Sequence, residues 1–149
     1  MRRHVARLVH APAEAVFSVL ADGWLYPSWV VGAARMRFVS PEWPVAGALL
    51  HHSVGAWPLI LINDTTELVA WHPPQFAVLR AQGGALGAAE VRIDVSASST
   101  PGCCFVRLTE LPRSGPVRGL RSVITQLLRV RNTESLRRLA AIAEGKARA

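Results

Sequence analysis

Six stretches typical of β-strands follow one another between Arg35 and Leu111, and only short turn-forming segments separate them. The breaks are rich in proline, glycine and serine, as in His72-Pro73-Pro74 and Gly83-Gly84. Parallel neighbours need a crossover of about a dozen residues or more, which these breaks are too short to provide. The pattern therefore predicts an antiparallel meander. The predicted strands span 35–40, 49–54, 59–70, 76–82, 88–96 and 103–111.

Helical patterns flank this meander on both sides. After a weak first strand at 5–9, Pro12 suits the first position of a helix and Glu14 complements its positive end. A second short helical segment is predicted at 24–31. The chain then ends in a long helix, predicted at 116–144. The apolar face of this helix consists of Val117, Leu120, Ile124, Leu127, Leu128 and Ile142, with Leu139 beside it.

Polar residues interrupt the apolar face of the terminal helix. Arg131 and Ser135 fall inside the face, and Asn132 lies at its edge. A helix face that packs on a sheet rarely carries an arginine. Either Arg131 extends its charged end past the rim of the sheet, or the helix covers a space that contains polar groups.

Length and composition fit one α+β domain over residues 1–149. Hydrophobic residues make up 50% of the chain, which is too apolar for a disordered protein. The longest apolar run, 57–62, is far shorter than the roughly 20 residues that cross a bilayer, so we expect no membrane span. Cys103 and Cys104 are adjacent and cannot form a loop-closing disulfide framework. We therefore expect a cytoplasmic protein with reduced thiols.

Positive charge is concentrated at the C-terminal end. The chain carries 17 basic and 10 acidic residues, and residues 113–149 contain nine of the basic residues but only two acidic ones, Glu134 and Glu144. A segment of this kind attracts anionic surfaces, yet it also occurs as the solvated face of a helix. No aromatic residues alternate with these arginines, so we expect no nucleic-acid partner.

Four segments of the sequence resemble one known family. APAEAVF at 11–17 is similar to its opening motif, and WLYPSW at 24–29 resembles its W-x-x-Y-x-x-W segment. NDTTEL at 63–68, followed by Pro73-Pro74, matches a strand that enters a proline turn. RNTESLRRL at 131–139 looks like the terminal helix of a bacterial subgroup. The chain thus resembles the START-like (SRPBCC) superfamily, in its polyketide cyclase/dehydrase-like branch.

This resemblance implies a helix-grip fold. In that fold a curved seven-stranded antiparallel sheet wraps around a long C-terminal helix, with two short helices after the first strand. It also implies a largely apolar cavity between sheet and helix, and ligand cavities of this type carry a few polar groups that orient the guest. Some members catalyse cyclisation or dehydration of polyketides.

Strand alternation points to one charged pair on the inner face. In the last strand, Leu108 and Glu110 belong to the more aliphatic face and are expected to point inward. A buried carboxylate is costly unless it is paired. We therefore predict that Glu110 pairs with Arg131, with Arg129 or Asn132 as substitutes. The pair lies either at one end of the cavity or at its rim as an ordinary salt bridge.

Other candidate cavity residues follow from the same alternation. His51 and His52 point to opposite faces, and His52 is expected inward, as a structural residue or a general base. The line Asn63, Thr65, Glu67 alternates with the line Asp64, Thr66, Leu68, and the sequence leaves open which is internal. The full set of candidate ligand-binding residues is Tyr26, Trp29, His52, Trp57, Asn63, Leu108, Glu110, Ile124, Leu128, Arg131 and Asn132.

The sequence predicts no metal site and no cofactor, because histidines and acidic residues lack ligand spacing and no nucleotide-binding glycine motif is present. We expect the partner to be a small hydrophobic molecule, lipid or polyketide-like, bound by a monomer or homodimer. The alternatives are a cyclase or dehydratase acting in the same cavity, and a protein that binds an anionic surface through its basic terminal helix. The catalytic residues, if any, are not identified by sequence.

Overall fold

The fold is built on a single antiparallel sheet. The computed structural model describes residues 3–56, 60–83, 87–114 and 123–149. The strands are β1 (Arg3–Val9), β2 (Ala33–Val39), β3 (Leu49–Ala56), β4 (Ile60–His72), β5 (Phe76–Ala81), β6 (Ala89–Ala97) and β7 (Cys104–Pro112). The helices are α1 (Ala13–Ala21), a 3₁₀ turn (Gly23–Leu25), α2 (Tyr26–Trp29) and α3 (Val123–Arg148).

The seven strands are ordered β1-β7-β6-β5-β4-β3-β2, and every neighbouring pair is antiparallel. The predicted α+β helix-grip fold is therefore confirmed: a curved seven-stranded sheet, short helices after β1, and a long C-terminal helix. The strands differ from their predicted bounds by one or two residues at most ends. β4 is the longest strand at 13 residues, and its pairing with β5 shifts between Leu68 and Ala70.

The short helical segments connect β1 to the edge strand β2. Pro12 precedes α1 in extended conformation, so the helix begins one residue later than predicted. The Asp22 side chain accepts a hydrogen bond from the Trp24 N–H and caps the 3₁₀ turn. A Cβ atom at Gly23 would lie 2.7 Å from Leu50 Cδ2 and 2.8 Å from Val39 Cγ1. The absence of a side chain therefore lets this turn approach β2 and β3, and α2 follows it directly.

The C-terminal half of α3 covers β1 and packs beside α1. Its buried positions recur at helical spacing and are Asn132, Ser135, Leu136, Leu139, Ala140 and Ala143. The predicted helix face was wrong at Leu127, which is 64% exposed. The buried stripe is centred about one residue away from the predicted one, and it ends in two alanines, Ala140 and Ala143, rather than in large aliphatic residues. Residues 117 and 120 and the side chain of Ile124 lie outside the described part of the chain.

Candidate functional site

Two groups of buried polar side chains lie on the inner face of the sheet. The first, which we call the carboxylate cluster, consists of Glu110 on β7 and Arg131 and Asn132 on α3. The second, which we call the hydroxyl–imidazole chain, consists of Tyr26 on α2, Thr66 on β4 and His52 on β3. Four of these six side chains are at most 6% exposed at the residue level, namely His52, Thr66, Glu110 and Asn132.

The carboxylate cluster contains the predicted ion pair. Arg131 Nη2 donates to Glu110 Oε1 at 3.0 Å and to Oε2 at 2.9 Å. Asn132 Nδ2 donates to Glu110 Oε2 at 2.6 Å, so Asn132 is a third member rather than a substitute for Arg131. Asn132 Oδ1 in turn accepts from Arg131 Nε and Nη2 at 3.3 and 3.2 Å. These N–H groups satisfy a carboxylate that is only 3% exposed.

The sequence left open whether Arg131 extends toward solvent or contacts polar groups under the helix, and in the structure it does both. Its side chain is 39% exposed, although its guanidinium also reaches the buried Glu110. The pair therefore lies at the boundary between the interior and the solvent. Leu108, two residues before Glu110 on the same face of β7, is buried as predicted, and Leu128, one turn before Asn132 on α3, is half-buried.

The hydroxyl–imidazole chain runs across three elements. Tyr26 Oη lies 3.2 Å from Thr66 Oγ1, which lies 2.9 Å from His52 Nε2. His52 points inward as predicted. Its other ring nitrogen, Nδ1, is buried and is the one buried side-chain nitrogen or oxygen without a hydrogen-bond partner in the described ranges. Burial lowers the pKa of His52, against the attraction of Asp64, and burial raises the pKa of Tyr26.

The structure decides which line of β4 is internal. Asp64, Thr66 and Leu68 are buried, and Leu68, the apolar member of this line, was the sequence signal that could have identified it. The inclusion of Asn63 among the inward residues was wrong, because its side chain is exposed and accepts from Ser53 Oγ at 3.1 Å. Both Asp64 carboxylate oxygens accept from the Gly83 N–H at 3.1 Å, which ties β4 to the turn after β5.

Aromatic side chains close the space beside the hydroxyl–imidazole chain. Tyr26 packs edge-on against Trp29, with ring centroids 5.6 Å apart, and its centroid lies 4.9 Å from that of His52. A small void of 10 Å³ adjoins Tyr26 and Trp29 and is also lined by Trp43, Leu50 and Trp71. A void of this size holds about one water molecule.

This void is far smaller than the ligand-sized cavity that the sequence led us to expect. A larger space of 470 Å³ is an open surface groove, which shares Asp22, Gly23 and Trp43 with the small void. Trp57, predicted to contact a ligand, lies outside the described residues. Trp43 and Trp71, which line the void, were not among the predicted residues, and their isolated positions in the sequence gave no signal.

Two features of other protein classes are absent from the residues that the structure describes. Within residues 3–56, 60–83, 87–114 and 123–149, no three histidine, cysteine or acidic side chains come together as a metal site would require. No helix in the described ranges is long and apolar enough to cross a membrane. Both cysteines are free.

Comparison with known proteins places this architecture in one family. Residues 3–144 match the sequence profile of the family described as polyketide cyclase / dehydrase and lipid transport. The search of curated proteins returned no match.

Several solved structures share the fold at low sequence identity. Protein NE0264 from Nitrosomonas europaea aligns over 100% of this chain and 97% of its own, with a TM-score of 0.76 and 10% identity. TTHA0849 from Thermus thermophilus aligns over 99% of both chains, with a TM-score of 0.74 and 16% identity. The di-domain ARO/CYC protein StfQ from the steffimycin biosynthetic pathway has a TM-score of 0.71 and 14% identity. The alignment spans 99% of this chain and 52% of StfQ.

Proposed function

The chain belongs to the polyketide cyclase/dehydrase and lipid transport family, and from this premise we propose that it binds a small hydrophobic organic molecule on the inner face of its sheet. One observation carries the proposal: the carboxylate cluster and the hydroxyl–imidazole chain converge from four elements on Tyr26. Arg131, Asp64 and Glu110 all lie near enough to influence the pKa of its hydroxyl. Folding alone does not require this convergence, since apolar residues fill a core without polar groups to satisfy.

The void of 10 Å³ sets a condition on this proposal. A guest larger than a water molecule has to displace side chains or a small element of structure. The shortest α-helix at the void is α2, which has four residues and directly follows the three-residue 3₁₀ turn. Its Tyr26 hydroxyl is held by one hydrogen bond, to Thr66 at 3.2 Å. We propose that α2 moves away from the sheet when the guest enters, and that the guest takes the place of the Tyr26 and Trp29 rings.

Thermal unfolding with two probes, lauric acid and the polyphenol naringenin, tests this function. A ligand that binds only the folded state stabilises it by about 2.7 kcal/mol at a hundred times its Kd. We expect at least one probe to raise the unfolding temperature in a concentration-dependent way. We also expect native mass spectrometry of the purified protein to reveal a bound small molecule. The absence of both effects contradicts the proposal.

A matched pair of threonine variants locates the binding site. Thr66→Val removes the central hydroxyl of the hydroxyl–imidazole chain without changing the side-chain shape. Thr65→Val makes the same change on the opposite face of β4, where the residue is half-buried. We expect Thr66→Val to change the probe affinity several-fold and Thr65→Val to leave it unchanged. Equal effects would place the probe elsewhere.

An enzyme that cyclises or dehydrates a polyketide in the same place is the second candidate, and it is supported by the family description and by the likeness to StfQ. The geometry favours binding over this candidate. The Glu110 carboxylate is occupied by Arg131 and Asn132, whereas His52 bonds to Thr66. The Glu110 carboxylate and the Nε2 atom of His52 are therefore engaged in bonds within the protein rather than free to accept a proton from a substrate. Conversion of a linear poly-β-ketone to an aromatic product by the purified protein would reverse this preference.

Binding of an anionic surface through α3 is less well supported. Glu134 forms ion pairs with Arg137 and Arg138, and Glu110 forms one with Arg131. Three of the basic side chains of the helix are therefore already paired with acidic groups of the protein itself. We include a cytoplasmic location in the proposal because the adjacent cysteines are free.

A further inference from the structure

The Nδ1 atom of His52 has an unused hydrogen-bonding capacity in the interior of the protein. The residue is 1% exposed, and no atom of the described residues pairs with this nitrogen. Buried polar groups are nearly always hydrogen-bonded, because water solvates them in the unfolded chain and nothing replaces that water in the core. An unpartnered nitrogen at this depth is a position at which a water molecule or a bound guest could complete the bond.

The hydrogen-bond chain determines what kind of partner is missing. Tyr26 and Thr66 each bring one hydroxyl hydrogen, and the neutral His52 ring brings one N–H. If Tyr26 donates to Thr66 and Thr66 donates to Nε2, both hydroxyl hydrogens are used. The ring hydrogen then resides on Nδ1 as the single unmatched donor. If the chain runs the other way, the Tyr26 hydrogen and the Nδ1 lone pair are both unmatched. The first direction leaves fewer unsatisfied groups.

We propose that the Nδ1–H group of His52 donates to a neutral carbonyl oxygen of the bound molecule and thereby selects apolar ketones over hydrocarbons of the same shape. This inference rests on the proposed function and adds the chemistry of the guest to it. The carbonyl is neutral rather than part of a carboxylate, because Asp64 is the direct partner of His52 on the neighbouring strand. Its buried negative charge would repel a second anion.

The tautomer of His52 gives a test that needs no ligand. A long-range ¹H–¹⁵N correlation spectrum of the ligand-free protein distinguishes protonated from bare ring nitrogens. We expect Nδ1 to be protonated and Nε2 to be bare. The reverse assignment overturns the inference, whatever the protein binds.

Two isosteric probes test the selection itself. Acetophenone and α-methylstyrene have the same shape and differ in C=O against C=CH₂. We expect acetophenone to bind about tenfold more tightly, the ratio that corresponds to one hydrogen bond of about 1.4 kcal/mol. Equal affinities overturn the inference but leave the proposed function standing. If neither probe binds, the proposed function fails in this size class, and the carbonyl selection fails with it.

Three variants assign the selection to Nδ1. His52→Gln keeps a polar group within reach of Thr66 but places none at the Nδ1 position, and we expect the tenfold preference to disappear. His52→Asn keeps a donor near the Nδ1 position, and we expect it to retain part of the preference even if the Gln variant does not fold. His51→Gln, the same change on the opposite face of β3, serves as the control. Loss of preference in this control, or its full persistence in both His52 variants, contradicts the assignment.

Discussion

The two ends of the contact between α3 and the sheet differ in chemistry although they belong to one helix face. Toward the C-terminus, Leu136, Leu139, Ala140 and Ala143 are buried among apolar residues of β1 and α1. One turn earlier, Arg131 and Asn132 meet the buried carboxylate of Glu110. The apolar end gains stability from burial, whereas the polar end must satisfy groups that are costly to bury. The comparison shows that apolar burial and satisfied polar groups occur one turn apart on the same helix face, and our proposal assigns binding to the polar groups.

The largest expected effect is the loss of packing at the apolar end. Leu139 is fully buried, and Leu139→Ala should lower the free energy of unfolding by about 2–5 kcal/mol, because the substitution leaves a cavity. Leu127→Ala is the matched control on the same helix. Leu127 is 64% exposed, so its change should stay within about 0.5 kcal/mol. Urea unfolding measures both, and similar losses would contradict the division of the helix into two ends.

The next effect is the loss of the cation at the polar end. Arg131→Met leaves the Glu110 carboxylate buried with Asn132 as its remaining side-chain donor in the cluster. We expect a loss of about 1–3 kcal/mol. This is less than the roughly 3–5 kcal/mol found for fully buried pairs, because Arg131 is 39% exposed and solvent screens the pair.

The neighbouring arginine and a double variant sharpen this result. Arg129→Met removes an exposed arginine two residues away and should change stability by no more than about 0.5 kcal/mol. Adding Glu110→Gln to Arg131→Met removes the unpaired charge and should restore part of the loss. If the double variant is no more stable than Arg131→Met, Glu110 is not held by Arg131 in the way that the structure indicates.

The third effect is a pH dependence that arises in the hydroxyl–imidazole chain. Burial holds the pKa of folded His52 below its ordinary value of 6.5. In the window below pH 6.5 the unfolded chain therefore binds a proton that the folded chain does not, so stability falls as the pH falls and levels off below the folded pKa. The charged and titratable groups that face His52 are Asp64 on β4, Arg37 on β2 and its own neighbour His51, and Tyr26 packs on it from α2.

Denaturant unfolding at several pH values tests this dependence, with the pH range chosen to bracket about 6.5. His52→Gln should remove the part of the slope that belongs to His52, and His51→Gln should not. An unchanged slope in the His52 variant would show that another group is responsible.

The smallest effect concerns the exposed surface of α3. Arg137 and Arg138 bind Glu134 and lower its carboxyl pKa from 4.5 to about 2. The contribution to stability is present above pH 4.5 and is lost as the pH falls toward about 2, and it is small because solvent screens exposed pairs. An NMR titration of the side chain should report the low pKa, and Arg138→Gln should raise it. A value near 4.5 in the unaltered protein would contradict the pairing.

Much of the fold could be predicted because its signals are local. Turn residues between short β-type runs define the meander, and alternation along β7 places Glu110 inward. A buried carboxylate needs a cationic partner, and Arg131 is the arginine that lies within the apolar face of the helix. The Glu110–Arg131 pair was therefore predictable as well. The structure confirms that the pair exists, and its role in binding stays a prediction.

Other features depend on packing that local patterns do not encode. Asn63 and Asp64 lie on adjacent polar lines of one strand, and only the position of the covering elements determines which line is buried. Leu127 is as apolar as Leu139, yet the orientation of the helix leaves the first in solvent and buries the second. The volume of the void likewise depends on the combined positions of Tyr26, Trp29, Trp43 and Trp71, which come from different parts of the chain.

The contact between Glu110 and two consecutive residues of α3 also fixes the helix along its own axis. A shift by one turn, about four residues, would bring Leu127 and Leu128 or Ser135 and Leu136 opposite the carboxylate. Leu127, Leu128 and Leu136 offer it no side-chain N–H donor. The same shift would bring Asn132 and Ser135, or Glu144, among the apolar residues that surround the buried end of the helix. The ion pair and the apolar contacts therefore specify one and the same alignment of the helix.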